Sequence, residues 1–578
     1  MKMGIIDFKA TKCKHCYKCV RYCDVKAIMI KDERAEIMPD KCILCGHCLQ
    51  ICPQSAKTLV SDLEIVKGFI KRGEKVVVSI APSYRGLMKY KTPGQINSAL
   101  KKLGFDQVRE TSEGAAVVTA EYVKLLDKGD MENIITTCCP SVNSLIEIYY
   151  PELIPYMAPV VSPMVAHGRL IKKEMPEAKV VFLGPCIAKK QESMDFRDEG
   201  AIDAVLNFND IQKWLNQEDI VVEECEDIPF KQLDPKVNRL YPVTNGVVNS
   251  VLATEDRGDG YRKFYVHGSS NCIDLCKSMQ RGEIKGCFIE MNMCSGGCIK
   301  GPTVNDETIS RFRVKLDMEE TIEREPAGHS DLEEAMSGIS FKKIFEDHSP
   351  KEQKPTEEEI QSILHMTGKN KPEDELNCGA CGYPTCRDKA VAVFQKKAEL
   401  NMCIPFMHEK AESFANLVME TSPNVVLIVD PEMKILEYSA VGEKYFGKTR
   451  QEALQMYLYE FIDPEDFQWV FDNHQNIHGK KVTYPEYQLS TLQNIVYIAK
   501  ENVVLATFID ITKEEEQERE DYEKKLETID LAQKVIHKQM MVAQEIAGLL
   551  GETTAETKTT LTKLCKSLLD EGSESEVK

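Results

Sequence analysis

The chain has 578 residues and a formal charge of −19, with 92 Asp and Glu against 73 Lys and Arg. That length exceeds what one hydrophobic core organises, so three to five domains are expected, and so acidic a balance excludes a surface built to neutralise nucleic-acid phosphates. The N-terminal "MKMGIIDFKATKCKHC" lacks the apolar stretch of a signal peptide, and no run approaches the roughly 18 apolar residues of a membrane span, so a cytoplasmic protein with no membrane partner is expected.

Twenty-two cysteines in a reducing compartment point to metal ligands rather than disulfides. In chain order, residues 1–60 carry two copies of CxxCxxCxxxC: Cys13, Cys16, Cys19 and Cys23, then Cys42, Cys45, Cys48 and Cys52 followed by Pro53. Three cysteines on a tight loop hold three corners of a cubane, and the fourth reaches the neighbouring cluster. Cys13, Cys16, Cys19 and Cys52 are therefore expected to hold one [4Fe–4S] cluster, and Cys42, Cys45, Cys48 and Cys23 another. Asp24 stands where the first block would carry its proline. The segment resembles a bacterial two-cluster ferredoxin, which implies electron transfer.

Residues 61–345 read as an α/β domain. The apolar runs "NIIT", "KVVFL" and "GCFI" each predict a buried strand, and each precedes a cysteine motif: "TTCCP" (136–140), "GPCIAKKQE" (184–192) and "EMNMCSGGC" (290–298). Loops at strand ends can converge on one site. Soft thiolates gathered there suit an iron–sulfur cluster, and the paired glycines let the backbone approach a bulky inorganic group.

These three motifs in this order, with "VSIAPSY", "IYYPEL" and "SPMVAHG" around them, resemble the signatures of [FeFe]-hydrogenases. The resemblance implies an H-cluster, a [4Fe–4S] cube joined through one cysteine to a diiron unit with CO, cyanide and azadithiolate. It implies Cys139, Cys186, Cys294 and Cys298 as cube ligands, Cys298 being shared with the diiron unit. Cys138 aligns with a proton-relaying thiol, for which a near-neutral pKa is expected. Lys189 aligns with the donor to an iron-bound cyanide, and Pro163 and Ser162 with the surrounding loop. Gly184 and Asn292 replace methionines of the fast enzymes, and Met164 a glutamine. Of the family's carboxylate and serine relay, Glu121 is traceable, while Ala158 occupies the serine position. These departures predict a loosened pocket and slow turnover. Cys225, Cys272, Cys276 and Cys287 share no motif and read as core thiols.

Residues 346–408 contain "NCGACGYPTC", with Cys378, Cys381, Cys386 and the later Cys403. The spacing resembles a small four-cysteine [4Fe–4S] domain; zinc, which also accepts four thiolates, is the alternative. Residues 409–512 alternate short strands and helices in a pattern resembling a PAS domain, with Ser439 in place of a common asparagine. His474 and His478 are either haem ligands or solvated loop residues. In 513–578, Leu526, Ile529, Ile536, Met540, Ala543, Ala547 and Leu550 step at heptad spacing with Gln533 in the vacant slot, which predicts a parallel coiled coil and a homodimer, packing against the chain's own body being the alternative. His537 lies on this helix without a kinase domain beside it.

The expected architecture is thus multi-domain, α+β and α/β. The whole layout resembles the sensory [FeFe]-hydrogenases of group D, which implies a slow, reversible interconversion of H2 with protons and electrons whose redox state passes through the clusters to a signalling output. Implied partners are a ferredoxin-like carrier, maturation proteins and a signalling kinase or phosphatase. Two alternatives stay open: a catalytic, ferredoxin-linked hydrogenase, and a non-enzymatic scaffold resembling the hydrogenase-like assembly factors.

Overall fold

The apolar run "VVVSI" forms the strand Val76–Ile80, all five residues buried. It lies between Gln107–Glu110 and Lys179–Leu183, with Ala204–Leu206 beyond the latter, in a four-stranded parallel sheet. Strands covered on both faces need no polar alternation, which is why these segments read as unbroken apolar runs. A second parallel sheet orders Arg262–His267, Cys287–Asn292 and Ile134–Ile135. Each cysteine motif leaves the C-terminal end of a strand in one of these sheets, where the loops of parallel strands meet. In this computed structural model the described residues are 4–198, 200–230, 236–254, 260–304, 310–324, 332–547 and 554–570, and they divide into two units at 406/407.

Within the first unit the N-terminal segment forms two antiparallel pairs, Ile6–Phe8 with Lys57–Leu59 and Ile28–Lys31 with Arg34–Ile37. Its sequence repeat is copied in the backbone: His15 and Leu44, Tyr17 and Gly46, Lys26 and Ser55 are equivalent positions, and all six have left-handed φ. Tyr17 shows that the repeat itself tolerates a side chain there. Gly46 is glycine because a Cβ would stand 2.2 Å from Pro302 Cβ and 3.2 Å from Ile187 Cδ1. The unusual Asp24 accepts a hydrogen bond from Ser269 Oγ. Tyr149 donates its hydroxyl to Lys41 O at 2.6 Å, and Lys190 reaches Val60 O and Asp62 Oδ1 at 2.6 Å each. These bonds seat the segment on the two-sheet body.

The four-cysteine segment packs on the N-terminal one. Ile30 N donates to Lys397 O at 2.9 Å, Arg21 to Ala380 O at 3.0 Å, and Val20, Ile28 and Ile30 share an apolar cluster with Tyr383, Ala392 and Met402.

The second unit contains an antiparallel sheet in the order Ile435–Tyr438, Val425–Val429, Val503–Asp510, Leu489–Ile498, Ile477–Tyr484, with short helices between its second and third strands in chain order. Ser439 Oγ accepts the Val426 N–H at 2.8 Å, the work a longer amide would do at that turn. His474 stacks on Tyr497 with ring centroids 4.5 Å apart, and His478 is exposed on an edge strand. Thr512–Ala547 is one helix, and Thr554–Asp570 packs against it. Ile529 and Cys565 are buried, whereas Leu526 and Gln533 are exposed. Part of the seam expected to pair two copies is therefore met within the chain; the Ala547 side chain and Leu550 lie outside the described residues. Among the described residues no helix is long and apolar enough to cross a membrane.

Gly46→Ala should cost about 2–4 kcal/mol in urea unfolding, combining left-handed strain with overpacking against Pro302. Gly73, also left-handed but with nothing within 4 Å of a Cβ, is the control, and Gly73→Ala should cost only about 1 kcal/mol.

Candidate metal centres

The three motif loops deliver four thiols to one pocket. Cys139 is the N-cap of the helix Pro140–Tyr149, whose first position is a proline that needs no N–H partner. Cys186 leads into Ala188–Ser193. Cys294 and Cys298 are separated by Gly296 and Gly297, both with left-handed φ, and a Cβ on Gly297 would lie 2.4 Å from Pro242 O. Cys139, Cys186, Cys294 and Cys298 line this pocket together with Asn292 and with Cys45 of the second N-terminal block. Burial pushes Cys186 up to about 11 and raises Cys294 and Cys298 as well, so a cluster must displace protons to bind here. Among the described residues no three His, Cys, Asp or Glu are spaced to hold a single metal ion. Four soft donors around a wider space suit a cubane instead.

Around the pocket, Cys138 Sγ lies 3.2 Å from the Tyr122 hydroxyl. Burial pushes this thiol up to about 12, against the near-neutral value expected, although Tyr122 and Lys189 pull it down; at neutral pH the sulfur keeps its proton. Lys189 donates to Glu192 Oε2 at 2.8 Å and to Cys138 O at 3.2 Å, and Ser162 Oγ donates to the same carboxylate oxygen at 2.9 Å. Burial acts to neutralise Lys189, but the Glu192 carboxylate outweighs it and holds the ammonium above the usual lysine range. Pro163 opens the helix Pro163–Glu174, with Ser162 as its N-cap.

The two positions expected to loosen the pocket are filled. A Cβ on Gly184 would meet the Phe182 ring at 2.7 Å, so the phenyl group occupies the space a methionine would take. Asn292 donates to Glu290 Oε1 at 2.8 Å, and Glu290 in turn accepts the N–H groups of Asn245, Val247 and Val248 at 2.9, 2.9 and 3.1 Å, capping the helix Gly246–Thr254. Glu121 pairs with Lys124 at 2.7 Å; the next residue, Tyr122, is the one that reaches Cys138. Ala158 is buried, with its N–H donated to Ile135 O at 2.9 Å and its carbonyl accepting from Val160 N at 2.7 Å and Thr137 Oγ1 at 3.1 Å; its methyl side chain carries no hydroxyl. Tyr122, Phe182 and Glu192 were not singled out from sequence. Only Glu192 left a signal, standing three residues after Lys189 on one helix, where opposite charges meet.

In the N-terminal segment, Cys23 and Cys42 both act electrostatically on Cys45 and Cys48, which places Cys23 beside the second block. The first block runs through Cys13 and Cys16 into the helix Lys18–Arg21, which packs on His47–Gln50 ahead of Cys52. Cys378, Cys381, Cys386 and Cys403 line a third pocket. There Thr385 accepts the Asp388 N–H at 2.9 Å, starting the helix Cys386–Phe394 with the cysteine at its first position, and Asn377 Oδ1 takes the Cys386 N–H at 2.8 Å. Cys225, Cys272 and Cys276 are buried in apolar surroundings, and Cys287 is half-buried.

Residues 74–302 match the family described as iron only hydrogenase large subunit, C-terminal domain; residues 12–56 match the 4Fe-4S dicluster domain, and 374–405 an Fe-S cluster family. The chain is similar to iron hydrogenase 1 of Clostridium pasteurianum, 24% identical over 444 residues, which covers 58% of this chain and 76% of that one. It is 26% identical over 326 residues to the NADP-reducing hydrogenase subunit HndD of Solidesulfovibrio fructosivorans, covering 45% of this chain and 55% of the relative. The cytosolic Fe-S cluster assembly factor NAR1 of Yarrowia lipolytica is 22% identical over 252 residues, 38% of this chain and 51% of the relative.

Burial pushes the Glu290 carboxyl up to about 7, although its backbone donors oppose the shift. Its stabilising contribution is complete below the ordinary value of about 4.3 and is lost as the pH climbs through about 7. Thermal unfolding should therefore show Glu290→Gln gaining on the parent chain between pH 5 and pH 8. A difference that stays flat across that range would contradict the assignment.

Proposed function

We propose that this chain, a member of the [FeFe]-hydrogenase family carrying 4Fe-4S domains, converts H2 reversibly into two protons and two electrons, slowly, and serves as a cytoplasmic sensor. The observation that carries the reading is the convergence of Cys139, Cys186, Cys294 and Cys298 on one pocket flanked by Cys138 and the buried Lys189. Cys139, Cys186, Cys294 and Cys298 would hold an H-cluster, which would supply the heterolytic chemistry of H2. The chain's own residues do the rest. The Lys189 ammonium, fixed by Glu192, offers a preorganised positive charge to an anionic ligand without reorganisation. Cys138 keeps its proton at Sγ and can hand it over at a short distance, its sulfur held by the Tyr122 hydroxyl. Phe182 fills the space beside Gly184 and keeps water from it. Cys45 lines the same pocket as Cys294, so a cluster held by the second N-terminal block would lie next to the four-thiol pocket.

Slow turnover follows from the proton side. Ala158 brings no hydroxyl, and Glu121 is engaged by Lys124, so protons leaving Cys138 lack the serine and carboxylate steps of the fast enzymes. The sensory reading is supported by the antiparallel sheet of the second unit, whose strand order 2-1-5-4-3 suits a PAS domain, and by the helix pair that follows it. The expected output is a signalling kinase or phosphatase, with a second copy of this chain as helix partner; a ferredoxin-like protein would carry electrons, and maturation proteins would supply the diiron unit.

A second reading, an iron–sulfur scaffold, is favoured by the similarity to the NAR1 assembly factor. Infrared spectroscopy of the matured full-length protein separates the two. Bands of iron-bound CO and cyanide should appear, move under H2 and vanish in Cys298→Ala, while Cys138→Ala should keep the bands and lose roughly 100-fold or more in turnover. Complete iron loading without such bands would leave the scaffold.

A further inference from the structure

The pocket of the third cysteine block has a lysine bonded directly to one of its sulfurs. Lys369 and Lys389, only 8% and 5% exposed, line it alongside the four cysteines. Lys369 Nζ donates to Cys403 Sγ at 3.5 Å and to Thr367 O at 2.9 Å, and Lys389 Nζ is steadied by Leu400 O at 3.0 Å. Tyr383 lines the same pocket, is 4% exposed, and its hydroxyl has no partner among the described residues. In the N-terminal blocks the sulfurs receive backbone donors instead, Ala27 N to Cys23 at 3.2 Å, Leu44 N to Cys42 and Ala56 N to Cys52 at 3.4 Å each. Lysines act there too, the buried Lys57 on Cys48 and the half-buried Lys26 on Cys23, but Lys57 turns its ammonium over the Phe8 ring at 5.3 Å and Lys26 donates to Val20 O and Arg21 O at 3.1 Å each, whereas Lys369 donates to a sulfur itself.

The third pocket is also in contact with the first block. Gly382 has φ +95, and a Cβ on it would lie 2.9 Å from Val20 Cγ1 and 3.1 Å from Arg21 N, directly beside Cys19 in the chain. Cys381 of the third block and Cys23 of the first both act electrostatically on Tyr383. A cube with four thiolates carries a charge near −2 when oxidised and −3 when reduced, and each cation or hydrogen bond at its sulfurs stabilises the second form more.

We infer that the four-cysteine centre is the electron sink of this chain, filled before the two N-terminal centres because Lys369, Lys389 and the Tyr383 hydroxyl stabilise its reduced form. The inference rests on the reading above only in requiring that the cysteine blocks hold [4Fe–4S] clusters. Each transfer is one electron, with no bond made or broken: a reduced N-terminal centre is oxidised by one and the four-cysteine centre reduced by one. When H2 is the source, its two electrons enter singly and its two protons leave at Cys138.

The test is a mediated redox titration, followed by electron paramagnetic resonance, of the full-length chain reconstituted with iron and sulfide but without the diiron unit. At a potential where the centre assigned by its loss in Cys403→Ser is half reduced, the N-terminal centres should be less than one-tenth reduced. At that potential Lys369→Met and Tyr383→Phe should each lower its reduced-to-oxidised ratio at least threefold, and Lys369→Arg should restore it. Should Lys369→Met lose iron, Tyr383→Phe, which removes a single oxygen, decides. A four-cysteine centre that reduces together with or after the others, or a ratio unmoved in an iron-replete Tyr383→Phe, overturns the inference. Neither result bears on the CO and cyanide bands, so failure here is distinct from failure of the hydrogenase reading.

Discussion

Two surfaces meet in this molecule with no room for a side chain between them: the loop of the second N-terminal block at Gly46, and Pro302 at the close of the third cysteine motif. The left-handed backbone at Gly46 and the 2.2 Å separation a Cβ would have from Pro302 Cβ fix the approach. Because Cys45 is the preceding residue, the same contact brings its thiol to the wall of the pocket that gathers Cys139, Cys186, Cys294 and Cys298. The distance between the second N-terminal block and the four-thiol pocket is therefore set by packing.

The second theme is compensation of buried negative charge. Thiolates and an anionic inorganic group cannot be buried without partners, and burial alone drives the pocket cysteines toward their neutral forms. The chain answers with lysines whose ammonium groups are held by other groups: Lys189 by Glu192, and Lys369 by Thr367 O beside Cys403. The carboxylate behind Lys189 makes that site less positive overall than a lone lysine would, which orients the ammonium and limits its pull. At the four-cysteine pocket the lysines lean on carbonyls instead, with no carboxylate drawn against them in those bonds.

Much of this was legible in the sequence because ligation imposes spacing. The three motif loops leave the ends of strands announced by apolar runs and bring Cys139, Cys186, Cys294 and Cys298 to one pocket, and the four cysteines of the third block line another. What stayed hidden was whatever depends on contacts between distant segments. Tyr122 carries no motif, and its role exists only because its helix passes Cys138. Phe182 fills the space at Gly184, so a substitution that read as loosening is compensated two residues earlier on the same strand. Asp24 looked like a minor lapse in the ferredoxin pattern, whereas it is the acceptor for Ser269. The four-cysteine segment, read as a separate domain, shares apolar surface with Val20 and Ile30. The heptad pattern could not tell a second copy from the chain's own final helix, which meets it.

The central claim is that thiols from three loops enclose one iron-containing group within reach of Cys45. Anomalous diffraction at the iron absorption edge from crystals of the loaded protein tests it most directly. Iron peaks are expected among Cys139, Cys186, Cys294 and Cys298, extending past Cys298 when the diiron unit has been supplied, next to a separate peak at Cys45. Iron at the N-terminal blocks with none inside that pocket would contradict it.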